Sequence, residues 1–297
     1  MFRVAHAVGS GSSCFSAANS AAFAVAVYIF RRTGVTWAQE AYLKAPNAEK
    51  HDGFGESLAV SVDTVVVGAG SESSNQTTII NGATASADNS AFFTGAVYIF
   101  RRTDGTWIQE AYLKAPNADM FDGFGNSVAV SGDTVAVGAT GEDSNQTTIT
   151  NGATASADNS AWGAGAVYVF RRTGVTWAQE AYLKAPNAES WDSFGNSVAV
   201  SGDTVAVGSV NGGSNQTTIT NDIYLSPVII LNAGAVYIFK RTGVTWTHES
   251  YLKSPNAASW SSFGNSVAVS GDTVAVGSDN ESSNVYGTGA VYIFVRK

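Results

Sequence analysis

Charge is scarce in this chain. Of 297 residues, 13% are Asp, Glu, Lys or Arg, about half of the roughly 25% usual for soluble domains. Only 16 are basic against 24 acidic, for a formal net charge of −8. A phosphate backbone needs a concentrated basic face, and these few cations are spread evenly, so a nucleic-acid partner is not expected. Anionic membrane surfaces are disfavoured for the same reason. Cys14 is the single cysteine, so no disulfide can form within the chain. No run of eighteen apolar residues exists, so neither a membrane-spanning helix nor membrane insertion is expected. The run AAFAVAVYIF at residues 21–30 has the composition of a signal-peptide core. It lies in register with GAVYIF further on and is read as a strand, which leaves no convincing targeting segment.

Proline is rare, at 5 residues, while glycine reaches 31 and Val, Ala, Thr and Ser fill much of the rest. That is the composition of a β-rich protein with many turns. The segment FGNSVAVSGDTVAVG occupies residues 124–138, recurs unchanged at 194–208 and 263–277, and has a looser copy at 54–68. Phe54, Phe124, Phe194 and Phe263 stand 70, 70 and 69 residues apart; Tyr28, Tyr98, Tyr168, Tyr237 and Tyr292 mark a VYIF or VYVF motif at spacings of 70, 70, 69 and 55. Such regularity identifies tandem copies of one supersecondary unit.

Each unit carries four strand signals. Around Gly132-Asp133, a two-residue loop with glycine first suits a type II′ hairpin turn, which pairs Ser131 with Thr134, Val130 with Val135 and Ala129 with Ala136. In a second hairpin, Asp104-Gly105 suits type I′, and Gly34-Val35 and Gly174-Val175 suit II′ in the same register. Arg102 then faces Trp107, and Val97 faces Tyr112. Both faces of this ribbon are apolar, so both must be covered. Four antiparallel strands per unit, stacked face to face, describe an all-β fold: a β-propeller forming a single domain over residues 1–297, with units entering at Phe54, Phe124, Phe194 and Phe263. The strand count reads 3, 4, 4, 4 and 3, giving about five blades with the first and last incomplete. A larger ring, an open five-bladed arc and a displaced terminal strand all satisfy that count. Gly of each FG is expected where blades crowd together.

The pattern FG…SVAVSGDTVAVGA…GAVYVF resembles the FG-GAP repeat of integrin α-subunit propellers and of many bacterial cell-surface proteins. The resemblance implies a seven-bladed ring, an extracellular or cell-surface location, and a role in adhesion or binding. The calcium loop of integrin-type blades, D-x-D-x-D-G, is absent. Ser-Gly-Asp-Thr stands in its place, and one carboxylate cannot supply the six to eight oxygens that calcium takes. No metal or other cofactor is therefore expected.

Catalytic motifs are lacking. His6, His51 and His248 occupy unrelated places and are read as surface residues. Glu40, Glu110, Glu180 and Glu249 recur in every unit, as do Asp63, Asp133, Asp203 and Asp272. An active site is used once whereas a scaffold position is used in every blade, so these acids are read as structural and the protein as no enzyme. Trp37, Trp107, Trp177 and Trp246 are expected to pack between blades beneath Arg32, Arg102, Arg172 and Arg241, with a modest cation–π contribution.

The variable positions attract the functional reading. Three residues before each FG stand His51, Phe121, Trp191 and Trp260, followed by Asp52, Asp122, Asp192 and Ser261. An aromatic beside an acid in a loop suits a protein or glycan contact; the alternative is a plug between blades. Parity of strand direction places this loop on one face with the long loop that follows VAVG. Those long loops carry SNQTTI, with N-x-T sequons at Asn75, Asn145 and Asn215 and an N-x-S sequon at Asn280, and Asn81-Gly82 and Asn151-Gly152 suggest a small extra hairpin. The fourth unit breaks the pattern with NDIYLSPVIILNA at 221–233, whose Tyr224, Leu225, Ile229 and Ile230 form an apolar loop suited to packing or to a partner. The leading expectation is a non-enzymatic binding propeller using this face. A multivalent lectin-like module and a propeller enzyme with an axial site are the alternatives.

Overall fold

A computed structural model of the chain describes residues 2–7, 26–214, 216–220, 230–281 and 287–296, with side chains from residue 26 onward. The first sheet comprises β1 (Phe2–Ala7), β2 (Ala26–Thr33) and β3 (Thr36–Leu43). The second comprises β4 (Ser57–Ser61), β5 (Thr64–Ala69), β6 (Ile80–Asn81), β7 (Ala96–Thr103) and β8 (Thr106–Leu113). The third repeats it with β9 (Ser127–Ser131), β10 (Thr134–Ala139), β11 (Thr150–Asn151), β12 (Ala166–Thr173) and β13 (Thr176–Leu183). The fourth holds β14 (Phe194–Ser201), β15 (Thr204–Ser209), β16 (Ala235–Thr242) and β17 (Thr245–Leu252), and the fifth β18 (Phe263–Ser270), β19 (Thr273–Ser278) and β20 (Ala290–Val295). All pairings within the sheets are antiparallel, and the middle sheets run in the order β4-β5-β7-β8 and β9-β10-β12-β13. These are propeller blades in tandem. The run at 21–30 supplies β2 from Ala26 onward; residues 21–25 lie outside the described residues.

The glycine-first turns fix the inner hairpin. Gly132 sits at φ 58° and Ser131 faces Thr134, with Val130 on Val135 and Ala129 on Ala136, as the loop length requires. Asp104 and Gly105 both take positive φ, which type I′ demands. Val62 holds φ 51° where the later blades have glycine, and its side chain is 75% exposed.

The outer hairpin departs from the simple register. Arg102 faces Trp107, but Val97 faces Leu113 and Tyr98 faces Tyr112, because a bulge between Ile99 and Phe100 on one side leaves Glu110 unopposed on the other. The expected Val97–Tyr112 pair is therefore wrong by one residue beyond the bulge. The same bulge recurs in β2–β3, β12–β13 and β16–β17. The extra residue is each time the recurring glutamate, which the bulge turns toward the next blade.

Blades join through their faces. Phe124 and Phe170 are buried with Trp177 against Val97, Ile99 and Leu113 of the preceding blade. The ring of Phe124 meets Tyr168 edge-on at 5.3 Å, and Phe54, Phe194 and Phe263 repeat that contact with Tyr98, Tyr237 and Tyr292. Each such aromatic contributes about 1.5–3 kcal/mol by burial. Gly125 of FG permits the approach: a Cβ there would stand 2.6 Å from the Ala96 carbonyl oxygen.

The long insertion forms no separate hairpin at Asn81-Gly82. Ile80 and Asn81 instead add a short fifth strand to β8, opposite Tyr112 and Ala111. The Asn81 side chain then crosses to the next blade, accepting from Trp177 N at 2.7 Å and donating to Trp177 O at 3.2 Å. Asn151 staples Trp246 in the same way. Both tight turns lie at one end of each sheet, since Thr134 beside one turn pairs with Arg171 beside the other. The insertion and the loop before FG emerge at the opposite end.

Candidate functional site

The loop before FG is built on a buried carboxylate. Asp52, Asp122 and Asp192 are buried, and each accepts the backbone N–H three residues upstream, at 2.7, 2.8 and 3.0 Å. Burial pushes these carboxyls up, to about 6, 8 and 7, with the backbone hydrogen bonds working against it. The acid beside the aromatic is thus turned inward and holds the turn rather than facing a ligand.

The residue before this acid lies in the left-handed region, also in the fourth copy, where Ser261 stands in place of the aspartate. His51, Phe121, Trp191 and Trp260 take φ of 73°, 71°, 72° and 68°. A bulky side chain there is strained by about 1–3 kcal/mol. The strain presents the ring to solvent: Phe121 and Trp191 are each 64% exposed and Trp260 57%. His51 is exposed as well. These rings therefore do not plug the gap between blades.

Phe121, Trp191 and Trp260 meet the end of the insertion from the preceding blade. Backbone N–H groups of Phe121, Trp191 and Trp260 donate to the carbonyls of Phe92, Trp162 and Leu231 at 3.0, 2.7 and 2.9 Å. Phe93 lies 5.7 Å from Phe121 between ring centroids, and Trp162 meets Trp191 at 6.3 Å and 77°. Phe92, Phe93, Trp162 and Leu231 are themselves exposed. The face thus carries the ring pairs Phe93–Phe121 and Trp162–Trp191, and exposed Leu231 beside Trp260, rimmed by exposed Asp119 and Glu189. Sequence reasoning missed Phe92, Phe93 and Trp162, because they close an insertion without period; their signal is their fixed place just before GAVY. Ile230 is half-buried, and its N–H donates to Gly213 O at 2.6 Å. Tyr224, Leu225 and Ile229 lie outside the described residues.

The recurring acids are engaged elsewhere. Glu110 accepts from Arg172 Nη2 at 2.7 Å and from Trp177 Nε1 at 2.9 Å, both on the next blade. Glu40 and Glu180 hold Arg102 with Trp107 and Arg241 with Trp246 likewise. Arg241 also lies over the Trp246 ring at 5.5 Å. Trp37, in the first sheet, is half exposed rather than packed between blades. The hairpin aspartates add to these clamps, with Asp133 Oδ1 3.8 Å from Arg172 Nη1. His248 is not a surface histidine: it is partly buried against Tyr237 and Phe239, and burial pulls its pKa down. The side chain of His6 lies outside the described residues. Among the described residues, no three His, Cys, Asp or Glu side chains are placed to hold a metal ion.

The family model described as FG-GAP repeat matches the chain four times, over residues 37–100, 107–170, 177–225 and 246–294, together well over half its length. No curated protein matches the chain.

Proposed function

The chain belongs to the FG-GAP repeat family, and from that premise we propose that it is a non-enzymatic binding propeller, acting at the cell surface or outside the cell, that grips a protein partner with the loop face. The observation that carries this reading is the strained, exposed aromatic repeated before FG, with ring identity varying while the backbone does not. Strain of this kind persists where the surroundings over-determine it, and it clusters at functional sites. Exposed Phe and Trp on rigid turns offer large contact area with little entropy to lose, the composition of interface hot spots. The opposite end presents two-residue turns whose exposed apolar residues are single valines such as Val62, Val175 and Val244, with no aromatic pair among the described residues.

The test is capture of partners from an extracellular protein library, run beside a glycan array. Trp191→Ala and Trp260→Ala should each weaken protein capture at least tenfold, whereas Val175→Ser on the opposite end should leave it unchanged. Glycan binding without protein capture would favour the lectin-like alternative. Equal loss from Val175→Ser, with folding intact, would remove the reason for assigning this face.

A further inference from the structure

Two blades seal a lysine inside a polar cage, and a third keeps the lysine but loses the cage's acids. Lys114 Nζ donates to Glu72 Oε2 at 3.0 Å, Ser74 O at 2.8 Å, Thr94 Oγ1 at 2.7 Å and Gly95 O at 2.7 Å. The other carboxylate oxygen of Glu72 accepts from Tyr112 Oη at 2.9 Å and from Asn47 Nδ2 at 3.2 Å. The next blade repeats this with Lys184, Glu142, Tyr182 and Asn117, at 2.7, 2.7 and 3.2 Å to the carboxylate. Both ion pairs are closed to solvent.

The fourth sheet keeps Lys253, Tyr251 and Asn187, but the glutamate position is Gly212. The backbone there is unchanged. Gly212 N donates to Ser209 O, and Gly234 N donates to Gly212 O at 3.0 Å, matching Gly95 and Gly165 on Glu72 and Glu142 at 2.8 Å. A Cβ at Gly212 would meet nothing nearer than 3.4 Å. Nothing in the backbone therefore requires glycine. A second acid is missing too: Asp122 and Asp192 follow Lys114 and Lys184 by eight residues, and Ser261 follows Lys253.

The consequences are local. Lys253 is 1% exposed, and its Nζ donates to Gly234 O; among the described residues it has no ion pair. Burial lowers its pKa to about 7, with Asp192 of the preceding loop the acid that opposes this. Tyr251 is 2% exposed, and its hydroxyl lies near Ser214 and Tyr237 without a hydrogen bond of acceptable geometry. Asn187 still accepts the Tyr237 hydroxyl at 2.7 Å, as Asn117 accepts that of Tyr168, but Gly212 offers its amide no carboxylate. Among the described residues the buried ammonium thus has one neutral acceptor and the buried hydroxyl none, and each is costly.

We propose that Lys253, Tyr251 and Asn187 bind a small monovalent carboxylate, of formate or acetate size, in the place that the Glu72 and Glu142 side chains fill in their own blades. The ligand's two oxygens take the donors that Oε1 and Oε2 take there: one from Lys253 Nζ, the other from Tyr251 Oη and Asn187 Nδ2. Burial of the cage limits the ligand to a few atoms and makes the charge-assisted contacts strong. A ligand bound only by the native state raises the melting temperature with its concentration.

Thermal unfolding in rising sodium formate at fixed ionic strength tests this. The native chain should gain several degrees along a saturating curve. Gly212→Glu restores the tethered carboxylate, so it should melt higher without formate and gain nothing specific from it. Lys253→Met should also lose the saturating response. Should Lys253→Met fail to fold, Gly212→Glu carries the comparison alone. Equal formate responses in the native chain and Gly212→Glu would overturn the proposal, as would a lower melting temperature for Gly212→Glu.

Discussion

Glu110 is the sharpest place to perturb the blade–blade contact. The bulge aims it at the next blade, where it holds Arg172 through Nε and Nη2 and Trp177 through Nε1, all within 3.1 Å. Replacement by alanine strands a buried indole N–H and most of a half-buried guanidinium. A hydrogen bond to a charged group is worth about 1.5–3 kcal/mol, and breaking a buried pair costs about 3–5 kcal/mol. Arg172 and Glu110 each keep some exposure, and Asp133 remains near the arginine, so the low end applies: about 3 kcal/mol. Glu249 occupies the same position in its blade, but its partner Arg296 is 50% exposed, so Glu249→Ala should cost under about 1 kcal/mol. In a chain of this size the two losses correspond to roughly 5 °C and under about 2 °C of melting temperature. Thermal unfolding of both variants at neutral pH is the assay. Equal losses at the two positions, or a loss at Glu110 under about 1 kcal/mol, would refute the clamp as the source of interblade stability. The pH profile adds a check: burial raises the Glu110 carboxyl, but hydrogen bonds from Arg172 and Trp177 bring it below its ordinary 4.5. Its contribution should be complete above that value and vanish as pH falls through the lower folded one.

Other outcomes follow from single residues. Val62→Gly relieves a β-branched residue at φ 51° and should raise stability by about 1 kcal/mol, the relief of strain less the entropy of glycine, as read by urea unfolding; a clear loss would contradict it. Asp122, pushed up to about 8 by burial, binds its proton more tightly folded than unfolded, so its contribution is full below pH 3.8 and falls as pH rises toward 8. Asp122→Asn should therefore flatten the decline in stability between pH 6 and 8, and an unchanged slope would contradict that. Millimolar calcium should leave the melting temperature unchanged, since the hairpin carboxylates are single and face arginines; a rise reversed by chelator would contradict this.

The inner hairpin could be read from sequence because a two-residue turn dictates its own register, and the four copies agree. The outer hairpin could be read only from its turn to the Arg102–Trp107 pair and not beyond the bulge. Beyond Glu110, β8 is buried on both faces, so the alternation that would reveal a one-residue slip is missing there, and the bulge at Glu110 leaves no mark in TWIQEAYL. Phe121, Trp191 and Trp260 stood out because they vary at a fixed place. Their partners Phe92, Phe93 and Trp162 did not, since only the fold brings the end of an insertion against a loop some 30 residues later. The lysine cage was hidden for the same reason, Lys114 and Glu72 lying 42 residues apart. Its trace in the sequence is the recurrence of Glu72, Glu142 and Glu281 in step with the AYLKAPN motif, broken at Gly212.

Hydrogen–deuterium exchange of the chain with its captured partner tests the binding face most directly. Protection should concentrate on residues 91–94, 119–123, 160–164, 189–193 and 258–262, the paired loops that carry the strained aromatics. Protection centred instead on the turns at 132–133, 174–175, 202–203 and 243–244 would place the partner on the opposite end of the blades and contradict the account.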